Sequence, residues 1–181
     1  VHISFLIITS IVNGLGLVAS AGIGISEKLF VFLSIAPSAF MSALSAFVAQ
    51  NMGAGNPQRA LRAMYVAQAI SFACGILTFS LTFFAGDFLA SLFDGDPAVI
   101  QATAQYMRGS GFEYLMIPLS FCFLGYFNGR ERTAFVMIQG LASAFLVRIP
   151  LSYYLSRLPG AGMFTISLAV PAAGLLSLGM C

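Results

Sequence analysis

The chain has 181 residues, of which 59% are hydrophobic and only 8% are charged, and its formal net charge is +2. A soluble domain carries about 25% charged residues, and a soluble fold of this length has too little interior to bury so much apolar surface. The small net charge also argues against nucleic acid as a partner.

Apolar segments of membrane-spanning length recur along the chain, separated by short polar breaks that hold most of the charges. A helix needs about 20 apolar residues to cross a hydrocarbon core of about 30 Å. The segments are too long for strands and lack their period-two alternation. We therefore predict an all-α, multi-pass integral membrane protein, a bundle of six transmembrane helices at about 3–18, 22–50, 60–85, 104–127, 133–156 and 162–181.

Both ends of the chain fall within apolar segments, at 1–11 and 175–181. The sequence begins without methionine and shows no signal-peptide pattern. We expect the chain to be a piece of a longer protein, cut within helices at both ends.

Residues typical of helix N-termini occur in two of the breaks between the predicted spans. Asn56 and Pro57 predict a helix N-cap followed by proline at the first helical position, and Asp96 and Pro97 repeat this pattern before span four. Between these two breaks, residues 87–93 predict a short helix at the membrane interface.

The charges of the breaks predict the orientation of the spans. The break after span two holds Arg59 and Arg62, and the break after span four holds Arg130 and Arg132. The break after span three holds Asp87, Asp94 and Asp96 and no basic residue. Cytoplasmic loops carry an excess of Lys and Arg. The breaks after spans two and four are therefore predicted to be cytoplasmic, and those after spans three and five external.

Glu27, Glu113 and Arg148 are predicted to lie within the membrane, in its outer half. From the helical rise of about 1.5 Å per residue, Glu113 and Arg148 lie about 12 Å deep and Glu27 is shallower. Such residues cost about 2.5–3.5 kcal/mol at the bilayer centre and usually face a cavity or one another. Two hypotheses follow: a cation or proton site in a central cavity, or a Glu113–Arg148 ion pair that only orients spans four and five.

Prolines interrupt several predicted spans. Pro118 removes the amide that would bond the carbonyl of Tyr114, and this freed oxygen lies one residue from Glu113. A carboxylate beside a free carbonyl suits Na⁺ or a hydrated proton, although an ordinary packing kink is the alternative. Pro37 and Pro150 predict similar kinks, as expected of helices that bend during transport.

Asn13 in span one and Gln139 in span five are weaker candidates for lining a cavity. The sequence holds no catalytic constellation, and its three cysteines match neither a metal site nor a disulfide framework. We therefore predict no enzymatic activity, no bound metal and no cofactor apart from a coupling ion.

Two segments resemble a known family. Residues 49–60 (AQNMGAGNPQRA), with Gly53, Gly55 and Arg59, resemble the cytoplasmic loop after the eighth helix of MATE transporters, the multidrug and toxic compound extrusion family. Residues 125–129 (GYFNG), followed by VRIP at 147–150, resemble the connection between the tenth and eleventh helices of that family.

The resemblance implies a twelve-helix antiporter with two six-helix lobes around a central cavity. Residues 1–181 would form the C-terminal lobe, about helices seven to twelve, and the N-terminal lobe would be a missing partner. Members of this family export organic cations and other drugs across the cell (plasma or inner) membrane against entering Na⁺ or H⁺. In many of them, carboxylates of the seventh and tenth helices form a cation site. Glu113 is the tenth-helix candidate, about one turn from the expected position, whereas span one offers only Asn13.

We accordingly expect Glu113 to bind the coupling cation or the charge of the substrate, with Glu27 second and Arg148 as electrostatic partner. The main alternative is a lipid-linked oligosaccharide flippase of similar architecture, which should hold pyrophosphate in a more cationic cavity. An intramembrane enzyme and a purely structural membrane subunit are further alternatives.

Overall fold

The structure is a computed structural model, and it describes residues 16–157 and 163–180. Most of the first predicted span, including Asn13, lies outside the described residues, so the count of six spans stays a prediction. Every regular element among the described residues is helical, as the long apolar segments predict.

The helices follow one another with short connections. In chain order they are α1 (Leu17–Leu33), α2 (Ile35–Gly53), α3 (Pro57–Phe84), α4 (Gly86–Ser91), α5 (Pro97–Ser110), α6 (Glu113–Gly129), α7 (Thr133–Ala142), a π-helical turn (Ser143–Arg148), α8 (Ile149–Ser156), α9 (Met163–Ser167) and α10 (Ala169–Gly179). Within the described ranges, three helical stretches are long and apolar enough to cross a membrane: α1 with α2, α3, and α7 through α8.

The structure confirms some predicted boundaries and corrects others. The fifth span agrees at both ends, and the predicted interfacial helix corresponds to α4. The predicted break at 19–21, between the first two spans, is wrong because the chain is already helical from Leu17. The fourth span begins at Pro97, about seven residues before the predicted start, and it is interrupted by a turn at 111–112.

The start of α5 shows how a polar break begins a helix. The side chain of Asp96 accepts a hydrogen bond of 2.8 Å from the backbone N–H of Ala98, and Pro97 occupies the first turn. Asn56 and Pro57 stand in the corresponding positions before α3, but Asn56 makes no capping bond with its side chain. The two breaks therefore share a sequence pattern and differ in one hydrogen bond.

We expect Asp96→Ala to lower the free energy of unfolding by about 1 kcal/mol, because it removes the capping bond. Asn56→Ala is the matched control and should have a smaller effect, since no side-chain bond is lost. The measurement is denaturant unfolding of the purified protein in detergent. Equal losses for the two variants would show that the Asp96 bond contributes nothing.

Two of the predicted proline kinks coincide with irregular helix geometry. Pro37 cannot donate to the carbonyl of Leu33, and the helix is interrupted at Ser34, between α1 and α2. Pro150 is the second residue after the π-helical turn, whose wider hydrogen-bonding pattern accommodates a missing amide.

Pro118 lies inside α6. The helix of span four is interrupted at the turn 111–112, before the proline, and not at the proline itself. A Cβ atom on Gly75 of α3 would lie 2.6 Å from the carbonyl oxygen of Tyr114 and 2.7 Å from Cγ of Pro118. The carbonyl that Pro118 frees therefore faces the backbone of α3. The proline and the glycine together let α3 and α6 approach closely.

The turn at 111–112 divides the helices into two packed groups. The part of the span before the turn, α5, packs against α1 and α9, whereas the part after the turn, α6, packs against α2 and α3. The π-helical turn and α10 pack against each other, and α10 also contacts α6. The rings of Phe30 and Tyr114 lie 6.0 Å apart, so the last turn of α1 lies beside the first turn of α6.

An ion pair links α4, in the break after span three, to α5. Nη2 of Arg108 lies 2.6 Å from Oδ2 of Asp87 in α4, and both side chains are about half exposed. Exposed pairs contribute about 0–1 kcal/mol, so this contact orients α4 more than it stabilises the fold.

Candidate functional site

The structure brings Glu27, Glu113 and Arg148 around one small cavity. Glu27 comes from α1, Glu113 is the first residue of α6, and Arg148 is the last residue of the π-helical turn. The volume open to a water molecule is about 20 Å³, which is enough for one water molecule or a small ion. We call this space the charged cavity.

Helix irregularities position two of the three charged residues. The turn at 111–112 makes Glu113 the first residue of α6. Arg148 ends the π-helical turn and is only 8% exposed. Single π-helical turns occur frequently at functional sites.

Tyrosine and serine side chains complete the charged cavity. Tyr106 and Tyr114 are both buried and line it together with Ser26 and Ser110. Each serine hydroxyl donates to a carbonyl of its own helix, at 2.8 and 3.0 Å, and its oxygen can still accept. The sequence analysis named Tyr114 but missed Tyr106. The spacing of seven residues between Tyr106 and Glu113, about two helical turns, was the available signal.

Glu113 and Arg148 both line the charged cavity. Atom Oε2 of Glu113 is fully buried and has no hydrogen-bond partner among the residues that the structure describes. A buried polar atom in this condition costs about 1–3 kcal/mol, and more if it is charged. Glu113 therefore has unused capacity to bind a proton or a cation.

A larger and mainly apolar cavity adjoins the charged cavity. Phe30, Glu113 and Arg148 line both spaces. The second space has a volume of about 210 Å³, and its other walls include Met116, Ile117, Ser120, Phe121, Leu124, Ser143, Ala173 and Ser177. We call it the apolar chamber. Charge at one end and apolar walls elsewhere suit an amphipathic organic molecule.

The remaining sequence candidates lie elsewhere. Gln139 does not line either cavity: it is buried on α7, and its amide nitrogen donates to the carbonyl and the hydroxyl of Ser177 in α10. It therefore connects two helices.

The loop between α2 and α3 holds Gly53, Gly55 and Arg59, and Gly55 adopts a left-handed backbone with φ of 73°, which favours glycine.

Clusters of three or more typical metal ligands are absent from the described part of the chain. Nowhere in residues 16–157 and 163–180 do three or more histidine, cysteine, aspartate or glutamate side chains gather in a way that could hold a metal ion. The oxygen atoms at the charged cavity instead come from two carboxylates, two serines and two tyrosines.

Comparison with known proteins identifies the family. The sequence model of the MatE family matches residues 1–154. The chain is also similar to a FAD transporter of Shewanella oneidensis, with 32% identity over 159 residues that cover 87% of this chain and 34% of the relative.

Two further relatives are named for multidrug resistance. The probable multidrug resistance protein YpnP of Bacillus subtilis is 26% identical, over 96% of this chain and 37% of the relative. The multidrug resistance protein PmpM of Pseudomonas aeruginosa is 26% identical, over 83% and 32%. The chain thus spans about a third of the length of these curated relatives. Because the family match covers most of the sequence, this multi-pass helical membrane protein belongs to the MatE family of transporters.

Proposed function

We propose that the chain forms the C-terminal lobe of a secondary active efflux transporter, which exports organic cations or other drugs in exchange for entering Na⁺ or H⁺. The two relatives named as multidrug resistance proteins support export. The chain spans about a third of their length, which fits a part of such a protein. The N-terminal lobe of the same protein would complete the central cavity, in a plasma or bacterial inner membrane.

The observation that carries this proposal is the buried Oε2 of Glu113, which lacks a hydrogen-bond partner within the described ranges, beside a cavity for one small ion. Two carboxylates, Glu27 and Glu113, share the cavity with one guanidinium, that of Arg148. When all three are ionised, the site carries one excess negative charge. A proton, Na⁺ or the charged group of an organic cation would each neutralise it.

Competition for this single charge provides the exchange step. A coupling cation that enters from outside neutralises Glu113, which then no longer attracts the organic cation, and the drug leaves. When the cation departs to the cytoplasm, the restored carboxylate attracts the next substrate. Glu113 also lines the apolar chamber, which accepts the apolar part of the substrate beside the carboxylate.

A second substrate class is favoured by Arg148, which is buried and lines both cavities. A planar aromatic anion would place its negative group on the guanidinium and its rings near Phe30. The relative named FAD transporter supports a flavin nucleotide as the example to test. A lipid-linked oligosaccharide is less well supported, because Arg148 alone among the described residues brings a positive side chain to these cavities.

Reconstitution of the complete protein into proteoliposomes tests the proposal. Ethidium and FAD are offered separately under an imposed Na⁺ gradient or pH gradient. We expect one of the two gradients to drive ethidium flux, and an ionophore that dissipates this gradient to stop it. Flux that responds to neither gradient would contradict antiport. Gradient-driven flux of FAD without ethidium would favour the second substrate class.

A further inference from the structure

An apolar groove runs between α2 and α3, away from the two cavities described above. Its walls include Phe40 and Phe47 of α2 and Val66 and Ile70 of α3, and its volume is about 480 Å³. Val66 and Ile70 are 59% and 51% exposed. The groove is therefore open along the side of the helix pair.

Two arginines stand at one end of this groove. Arg59 and Arg62 line both the groove and a polar depression formed by the loop residues 55–58. The guanidinium of Arg59 lies 5.6 Å from the centroid of the Phe47 ring, in the range of a cation–π contact that holds the side chain at the mouth of the groove.

Nothing on the two helices neutralises these arginines. Neither α2 nor α3 contains an aspartate or a glutamate, and in the described part of the chain no carboxylate pairs with Arg59 or Arg62. The N-terminus of α3 adds partial positive charge at the same place, because Asn56 leaves it without a side-chain cap. The mouth of the groove is therefore a positively charged surface directly continuous with an apolar one.

We propose that this groove binds a phospholipid with an anionic headgroup from the cytoplasmic leaflet. The phosphate lies on Arg59 and Arg62, and one acyl chain lies along Phe47, Val66 and Ile70. Basic pockets between transmembrane helices on the cytoplasmic side bind anionic headgroups in this way. A soluble phosphate would leave the apolar groove empty, and a neutral lipid would leave the arginines uncompensated. The inference is independent of the transport chemistry at Glu113.

Native mass spectrometry of the delipidated, complete protein tests the lipid site. The probes are dioleoyl phosphatidylglycerol, dioleoyl phosphatidylcholine and soluble glycerol 3-phosphate. We expect the protein to retain phosphatidylglycerol roughly tenfold better than phosphatidylcholine, because each arginine near the surface favours the anionic lipid. Glycerol 3-phosphate should not be retained. Equal retention of the two lipids, or binding of glycerol 3-phosphate as strong as that of phosphatidylglycerol, would overturn the proposal.

Three variants locate the site. Arg59→Gln with Arg62→Gln should lower phosphatidylglycerol retention roughly tenfold. Arg130→Gln with Arg132→Gln, from the other predicted cytoplasmic break, is the matched control and should retain the lipid as the unmodified protein does. Ala43→Phe places a ring in the groove without changing charge and should also weaken retention. Unchanged retention in either groove variant, or an equal loss in the control, would refute the assignment.

Discussion

Replacement of Glu113 by glutamine is expected to lower the initial rate of ion-driven efflux about tenfold or more, and a tenfold change corresponds to roughly 1.4 kcal/mol of free energy. Glutamine keeps the size of the side chain but cannot carry the negative charge that the coupling cation neutralises. The measurement is the initial rate of substrate flux in proteoliposomes, under the Na⁺ or H⁺ gradient that drives the unmodified protein.

Two companion variants test whether the negative charge at position 113 itself is required for transport. Glu131→Gln changes an exposed acid in the turn between α6 and α7 and should leave the flux unchanged. Glu113→Asp keeps the charge on a shorter side chain and should retain part of the ion dependence. If Glu113→Gln left both the flux and its ion dependence intact, Glu113 would not be the group that binds the coupling cation.

The folding of Glu113→Gln needs a separate measurement, because a transport defect can also arise from an unfolded protein. An amide has no charge to bury, and Oε2 of Glu113 has no hydrogen-bond partner among the described residues. We therefore expect the thermal unfolding midpoint of the variant to equal or exceed that of the unmodified protein. A lowered midpoint would point to a structural role instead.

Gly125→Ala and Gly129→Ala are each expected to lower the free energy of unfolding by about 1–3 kcal/mol. The added Cβ atoms would lie 2.6 Å from the backbone carbonyl oxygens of Met41 and Ser45 in α2. A backbone cannot rotate away as a side chain can, so α2 and α6 would have to move apart. Denaturant unfolding in detergent micelles measures the loss.

Gly24→Ala provides the matched control for this pair. Gly24 lies within α1, and no atom of the described chain lies within 4 Å of the Cβ that alanine would add. Alanine is preferred over glycine in a helix by about 1 kcal/mol, so this variant should be as stable as the unmodified protein or more so. Equal destabilisation of all three variants would mean that the close approach of α2 is not what requires glycine at positions 125 and 129.

The segment that contains Gly125 and Gly129 shows how a sequence feature can be noticed and only partly understood. The sequence analysis used it as a mark of family resemblance at the end of span four. In the structure, its two glycines form the close contact between α2 and α6. The four-residue spacing of small residues predicts close helix packing, but it does not identify the partner helix.

Errors in the predicted boundaries have a physical cause. The apolar part of span four was predicted from about residue 104, whereas Asp96 and Pro97 predicted a helix start before it. The helix begins at Pro97, since Asp96 caps it and α5 packs against α1. Likewise α1 begins at Leu17 although a break was predicted at 19–21. Hydropathy reports where a helix is apolar, whereas capping and packing decide where it starts.

The sequence by itself determined that this chain is a helical membrane protein, because lipid requires long apolar helices that satisfy their own backbone. It also identified Glu27, Glu113 and Arg148 as charges that such a protein must accommodate. Only the tertiary structure decided that these three share a cavity while Gln139 connects helices elsewhere. That outcome depends on the rotation of each helix about its axis, which is set by packing between segments far apart in sequence.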